Sequence, residues 1–241
     1  MKTKLLTIAT LAVLMLTATI KGQAQTPCLP QEHGLATHQS AMCGVTQSIA
    51  LTSGWNWFSL PIEAENSAAA LQMLEGALDG NALTITSGTG QYTEYDDEDE
   101  EWFGNLTGIA NENMYMINMA NDYTISLEGQ PANPASHQIT INPGWNWIGF
   151  PSNVEMSVTA AFANFEAEED DELRGREGAT IFDGEEWFGF LDTLTPGHGY
   201  MYYFNGSESK PLVIPTGAKA RRAYPNFGKI NKQLIEVNPT H

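Results

Sequence analysis

The chain has 241 residues, with 29 acidic side chains against 11 cationic ones and a formal net charge of −18. Between residues 25 and 218 the imbalance sharpens to 28 acids against three cations, Arg174, Arg176 and Lys210. A body this acidic repels nucleic acid and anionic lipid, which both need a positive field, so neither is expected as a partner.

Met1 to Ala24 reads as an export signal: Lys2 and Lys4 precede an apolar run from Leu5 to Ile20, and Gly22-Gln23-Ala24 ends it with small residues. The run is shorter than the ~20 residues of a spanning helix, and no membrane span is expected in the mature chain. The two cysteines, Cys28 and Cys43, then lie in an arm covering residues 25–46 of an exported protein. They are expected to form a disulfide around His33 and His38; a Cys/His metal site is the rival, with spacings that match no standard zinc pattern.

From residue 47 the chain repeats itself. Gly54-Trp55-Asn56-Trp57-Phe58-Ser59-Leu60-Pro61 returns 90 residues later as Gly144-Trp145-Asn146-Trp147-Ile148-Gly149-Phe150-Pro151. Ile49 and Leu51 match Ile139 and Ile141 at the same offset, as do Ser67 with Ser157 and Leu83 with Leu173. Glu101-Trp102-Phe103-Gly104 matches Glu186-Trp187-Phe188-Gly189 at an offset of 85, and so does Tyr115-Met116 with Tyr200-Met201. Five residues are thus missing from the second copy before its Trp-Phe-Gly motif. Length changes of this kind belong in loops.

Within a copy, alternating apolar residues predict strands at 49–51, 55–60, 83–86, 92–95, 102–106, 114–117 and 123–127. Ser67 is the expected N-cap of a helix carrying Ala70, Leu71 and Leu74, and Ser157 caps its counterpart. The fold class is α+β, mainly β: two tandem modules, 47–130 and 137–218, each a mostly antiparallel sheet with one short helix. Pro131 to Ala135 links them, and a basic tail, 219–241, follows.

In the alternation Trp55, Trp57 and Ser59 share one face and Asn56, Phe58 and Leu60 the other. Large aromatics dominate small cores, so Trp55, Trp57, Trp145 and Trp147 are expected inside. Trp102 and Trp187 stand beside acids, and they remain open between core and ligand platform. With Tyr115 and Tyr200 they make up the candidate ligand-binding set. Asp96, Asp97, Asp99 and Glu101 are the candidate calcium ligands, with Glu168 to Glu172 as a second acidic run. Neither run has the spacing of a defined calcium loop, and a solvated charged loop is the simpler reading. No Gly-x-Ser-x-Gly elbow occurs, and no histidine recurs in both copies. Glu101 and Glu186 are the best carboxylate pair for a glycan hydrolase, but they lie in different copies.

The paired Gly-Trp-Asn-Trp and Trp-Phe-Gly-x-Leu motifs, with Pro196-Gly197-His198-Gly199-Tyr200-Met201, resemble repeats in exported and surface proteins of Gram-negative anaerobes. The resemblance covers residues 47–218; the first copy departs from it at Asn111-Glu112-Asn113-Met114. It implies export and modularity rather than a reaction. Asp192-Thr193-Leu194 also resembles an O-glycosylation acceptor of exported proteins in such bacteria. The expected function is a non-catalytic secreted or cell-surface module for adhesion or ligand binding, its partner a surface protein or glycan. A carbohydrate-binding module is the first alternative and a glycan hydrolase the second. The expected location is extracellular, cell-surface or periplasmic.

Overall fold

The computed structural model describes residues 44–216, so the expected export signal, the expected Cys28–Cys43 disulfide and the basic tail lie outside the described residues. β1 (Val45–Leu51) alternates exposed Thr46, Ser48 and Ala50 with buried Gln47, Ile49 and Leu51. A turn held by Gly54, whose φ of 84° lies in the left-handed region, leads into β2 (Gly54–Phe58). Asn56 ties that turn: its Nδ2 donates to the carbonyls of Thr52 (2.6 Å) and Gly54 (2.9 Å), and its Oδ1 accepts from Thr52 N (3.0 Å). Asn146 makes the matching bonds to Asn142 and Gly144, behind a Gly144 with φ of 85°.

β3 (Ile62–Glu63) is followed by α1 (Ser67–Leu78), which buries Ala70, Leu71, Leu74 and Leu78 along one stripe. The N-cap is Asn66 rather than the expected Ser67: Asn66 Oδ1 accepts from Ala69 N at 2.9 Å. Next come β4 (Ala82–Ser87), β5 (Tyr92–Asp96), β6 (Glu101–Gly104), β7 (Tyr115–Met119) and β8 (Tyr123–Pro131). A five-stranded antiparallel sheet forms in the order β2-β7-β4-β5-β6, while β8 pairs separately with β1 and β3.

After a 3-10 turn at Pro134–Ser136, the second half gives β9 (Gln138–Ile141), β10 (Gly144–Ile148), β11 (Met156–Ser157) and α2 (Val158–Ala161). Then follow β12 (Glu172–Gly175), β13 (Gly178–Phe182), β14 (Trp187–Gly189), β15 (Thr193–Leu194), β16 (Tyr200–Phe204) and β17 (Lys210–Val213). Its large sheet runs β10-β16-β12-β13-β14, position for position the order of the first, and β9 pairs with β17 as β1 does with β8. The chain is therefore mainly antiparallel β with few and short helices, the α+β class expected.

Register corrects one sequence match. Ile85 lies opposite Ile117, and Leu173 opposite Tyr202, so Leu173 corresponds to Ile85, 88 residues earlier, and not to Leu83. Leu83 sits at a bulge in β4 and is exposed, whereas Ile85 and Leu173 are fully buried. Thr93 and Thr180, opposite Gly104 and Gly189, are 87 apart. The five missing residues thus divide as two around the helix, one at the β4–β5 turn and two at the β5–β6 turn. The loss at the helix is visible in packing. Where α1 presents leucines over three turns, α2 has four residues, and Phe162 and Phe165 fill the space against Tyr202.

The two halves have distinct cores but form one compact unit from Gly44 onward. Phe58 bridges His198, and Ile148 bridges Asn113. Ser59 N donates to Gly197 O (3.1 Å), and Gly149 N to Glu112 O (2.8 Å). Each contact is the other with the halves exchanged. Ser59 adds a bond that Gly149 has no side chain to copy: its Oγ donates to His198 O (2.7 Å) and accepts from Phe150 N (3.0 Å).

Candidate functional site

In each large sheet one face meets its own core and the other meets solvent. The inner face of the first sheet carries Asn56, Phe58, Ile117, Ile85 and Thr93, all buried. Strict alternation then sends Trp55 and Trp57 outward. Trp55 is 46% exposed and Trp145 43%. The expectation that these tryptophans form the core is corrected: Asn56 and Asn146 point inward because their amides satisfy the turn beneath them.

The same alternation acts on the Trp-Phe-Gly motif with the opposite result. Tyr95 pairs with Trp102 on the inner face, their ring centroids 5.3 Å apart, and Trp102 packs on the first core. Trp187 packs among Phe162, Phe182 and Tyr202 in the second. Phe103 and Phe188 take the outer face instead, 50% and 41% exposed. Gly104 and Gly189 end this stretch at φ near 155° and 159°, and a Cβ at either would strike the carbonyl of Tyr92 or of Ala179.

Tyr115 and Tyr200, the other two candidates, are buried, and their rings offer no face to a ligand. Their hydroxyls accept from Ala110 N (2.9 Å) and Thr195 N (2.7 Å), each five residues back, and burial pushes both phenols above their ordinary pKa. They brace the loops leading into β7 and β16. Tyr115 and Tyr200 are thus structural and Trp102 and Trp187 pack half-exposed on the cores, while of the open aromatics Trp55 and Trp145 are the ones expected inside.

The acidic runs are turns. Asp96 Oδ1 accepts from Glu98 N (2.9 Å) and Asp99 N (3.3 Å), closing the β5–β6 hairpin around Asp97 and Asp99, and Glu101 pairs with Asp96 in the ladder. Asp183 does the same for Glu185 and Glu186. In the other run Asp171 is fully buried and accepts from Tyr202 Oη (2.6 Å), Asn205 N (2.7 Å) and Glu168 N (2.8 Å). Among the described residues no three His, Cys, Asp or Glu side chains gather as metal ligands would.

The first sheet's outer face reads across its strands as Trp55, Asn118, Thr84, Glu94 and Phe103, with Trp57, Met116, Thr86 and Tyr92 in the adjacent row. Trp55, Tyr92 and Phe103 are exposed and the residues between them half-buried. The matching row of the second sheet is Trp145, Tyr203, Glu172, Ile181 and Phe188. It is closed differently. Arg174, at the position of Thr86, lays its guanidinium 4.6 Å from the Trp145 ring centroid and binds the Glu172 carboxylate through two nitrogens. Tyr203 leans on the same indole at 5.2 Å.

Between the halves lies a cleft of about 310 Å³ lined by Thr52, Asn56, Trp57, Arg176, Glu177 and His198, among others. Its charges are engaged: Arg176 donates to Asn56 Oδ1 (2.6 Å) and to Thr52 Oγ1 (3.2 and 3.3 Å), and His198 Nδ1 lies 3.2 Å from Glu177 Oε1. Arg176 sits in the β12–β13 turn, and the β4–β5 turn reaches the other way: a Cβ on Gly88 would lie 3.1 Å from the Trp147 ring. Each turn thus reaches the opposite half, one through Arg176 on Asn56 and Thr52, the other through Gly88 beside Trp147.

Comparisons with protein-family models, with curated proteins and with solved structures give no match.

Proposed function

We propose that this chain is a non-catalytic module of an exported or cell-surface protein, serving adhesion or ligand binding. One observation carries the reading: the first sheet turns Trp55, Tyr92 and Phe103 to solvent on a single face, with half-buried polar side chains between them. Single exposed apolar residues are ordinary on a protein surface, but a set gathered on one rigid sheet is the pattern of an interaction site. The chemistry-bearing side chains elsewhere are occupied in structure: Arg176 joins the halves, Glu177 pairs with His198, and Asp171 and Asp96 hold turns. Of Glu101 and Glu186, the carboxylates a hydrolase would need, the first opens β6 and the second directly precedes β14 in the other sheet, and both are exposed. The acidic body favours neutral or cationic partners.

The test is a combined array of glycans and extracellular matrix proteins, run with and without calcium, with product release followed by chromatography. Retention of a ligand without turnover supports the proposal. Release of shortened products from any bound polysaccharide overturns it.

A further inference from the structure

We infer that the outer face of β2-β7-β4-β5-β6 is a binding platform for a neutral, extended glycan chain, and that the matching face of the second half does not bind it. The inference rests on the binding-module reading and names its ligand. The row from Trp55 to Phe103 crosses four interstrand steps, roughly 19 Å at the usual spacing, long enough for several linked pyranose rings. An aromatic ring stands at each end and Tyr92 in the row beside it. The negative π face of such a ring suits the axial C–H side of a pyranose. Between the rings lie an amide, a hydroxyl and a carboxylate, from Asn118, Thr84 and Glu94, at heights set by the sheet. Side chains of these types accept from and donate to sugar hydroxyls.

An apolar peptide surface would not be matched by this alternation, since it would bury Asn118, Thr84 and Glu94 without partners. Anionic polysaccharides are disfavoured by Glu94 within the row and by a body with 28 acids against three cations. The open, flat face suits a ribbon-like polymer better than a small molecule, which is held in a concave site.

The second half is the internal comparison. Arg174 covers one face of Trp145 and is held there by Glu172, while Ile181 stands where the first sheet has Glu94 and Tyr203 where it has Asn118. One face of the Trp145 indole is taken by Arg174 and two of the row's polar groups are replaced, so the expected stoichiometry is one chain of glycan per protein.

Isothermal titration of the full mature protein with cellohexaose, N-acetylchitohexaose and mannohexaose, and with hexagalacturonate as the anionic probe, tests this. At least one neutral hexamer is expected to bind with a stoichiometry of one. Trp55→Ala and Phe103→Ala should each weaken it about tenfold or more, the order of one lost ring contact. Trp145→Ala should leave it unchanged, and Glu94→Gln, which keeps the side-chain shape, provides a second probe of the row expected to weaken binding. Melting temperatures near that of the parent protein would show that the exposed-site variants are folded. No binding by any neutral hexamer, preferential binding of hexagalacturonate, or binding lost in Trp145→Ala but not in Trp55→Ala would overturn the inference. So would an extended apolar peptide that binds through Trp55 when no hexamer does. Each of these leaves the binding-module reading standing; only turnover removes that.

Discussion

At the residue scale, the asparagine between the tryptophans decides which way the motif faces. By composition alone, Trp-Asn-Trp in a strand reads as two core residues around a surface polar one. The structure inverts it because the Asn56 amide has its partners underneath, in the turn that Gly54 makes, and Asn146 repeats the arrangement. Asn56 also receives Arg176 from the second half at 2.6 Å, a charge-assisted bond that Asn146 lacks. Asn56→Ala is therefore expected to cost about 2–3 kcal/mol, by leaving the carbonyls of Thr52 and Gly54 and the Thr52 N–H without their partner and Arg176 with Thr52 Oγ1 alone, and Asn146→Ala about 1–2 kcal/mol. Urea denaturation of the two variants checks the order; an equal or reversed loss would count against the role given to Arg176.

At the scale of elements, the strands and their alternation were legible in the sequence, and the parity of that alternation was not. Trp102-Phe103-Gly104 has the same period whichever side faces in. The inward side is fixed by Gly104, whose missing Cβ allows Tyr92 O to approach, and by Tyr95, which meets Trp102 across the strands. Both are pairing facts that only register reveals. The helix N-cap moved one residue, from Ser67 to Asn66, for the same reason: two adjacent side chains were able to cap, and backbone geometry chose.

The segment between β8 and β9 holds a titrating contact with a definite sign. His137 Nε2 lies 2.9 Å from Glu63 and its Nδ1 2.7 Å from Glu112, so the start of the second half is clamped to β3 and to the loop before β7. Burial by itself lowers the affinity of the imidazole for a proton. The two carboxylates outweigh burial and hold His137 above its ordinary value. Because the folded state binds the proton more tightly, the stabilisation is full below the unfolded value of ~6.5 and fades as pH rises through the higher folded value. The margin of the parent protein over His137→Gln, read from urea midpoints, is expected to widen between about pH 9 and about pH 5.5. A margin that stays constant across that range, or shrinks toward acid, would show that the proton is not held there.

For the whole molecule, the tandem pattern in the sequence suggested two modules joined by a short, stiff linker, and the described residues form one compact unit in which the halves are joined. Nothing in the sequence marks the joining residues as special. Several are main-chain groups of Phe58, Ser59, Gly149 and Gly197, whose pairing needs no distinctive side chain. Side chains add to them: Ser59, fully buried with both bonds of its hydroxyl reaching the other half, Arg176 on Asn56, and His137 between Glu63 and Glu112. A surface stitched by backbone bonds, by Arg176 on Asn56 and Thr52, and by the Gly88 turn against Trp147 should not open before the cores do. Calorimetry on residues 44–216 is expected to show a single transition whose calorimetric and van't Hoff enthalpies agree. Two resolved transitions would mean that the halves are energetically independent.

The reciprocal bridges, Phe58 to His198 and Ile148 to Asn113, have a further consequence. A contact that maps onto itself when its partners are exchanged is isologous, the kind that joins two copies about a dyad and then has no surface left to offer. The described residues thus join their halves as two copies about a dyad would, and these reciprocal bridges are satisfied at two. A third copy appended to it would find no vacant face of that type. Repeats of this kind are therefore expected to extend a protein in pairs, each pair closed, rather than to grow into an open-ended solenoid in which every unit still has a free end.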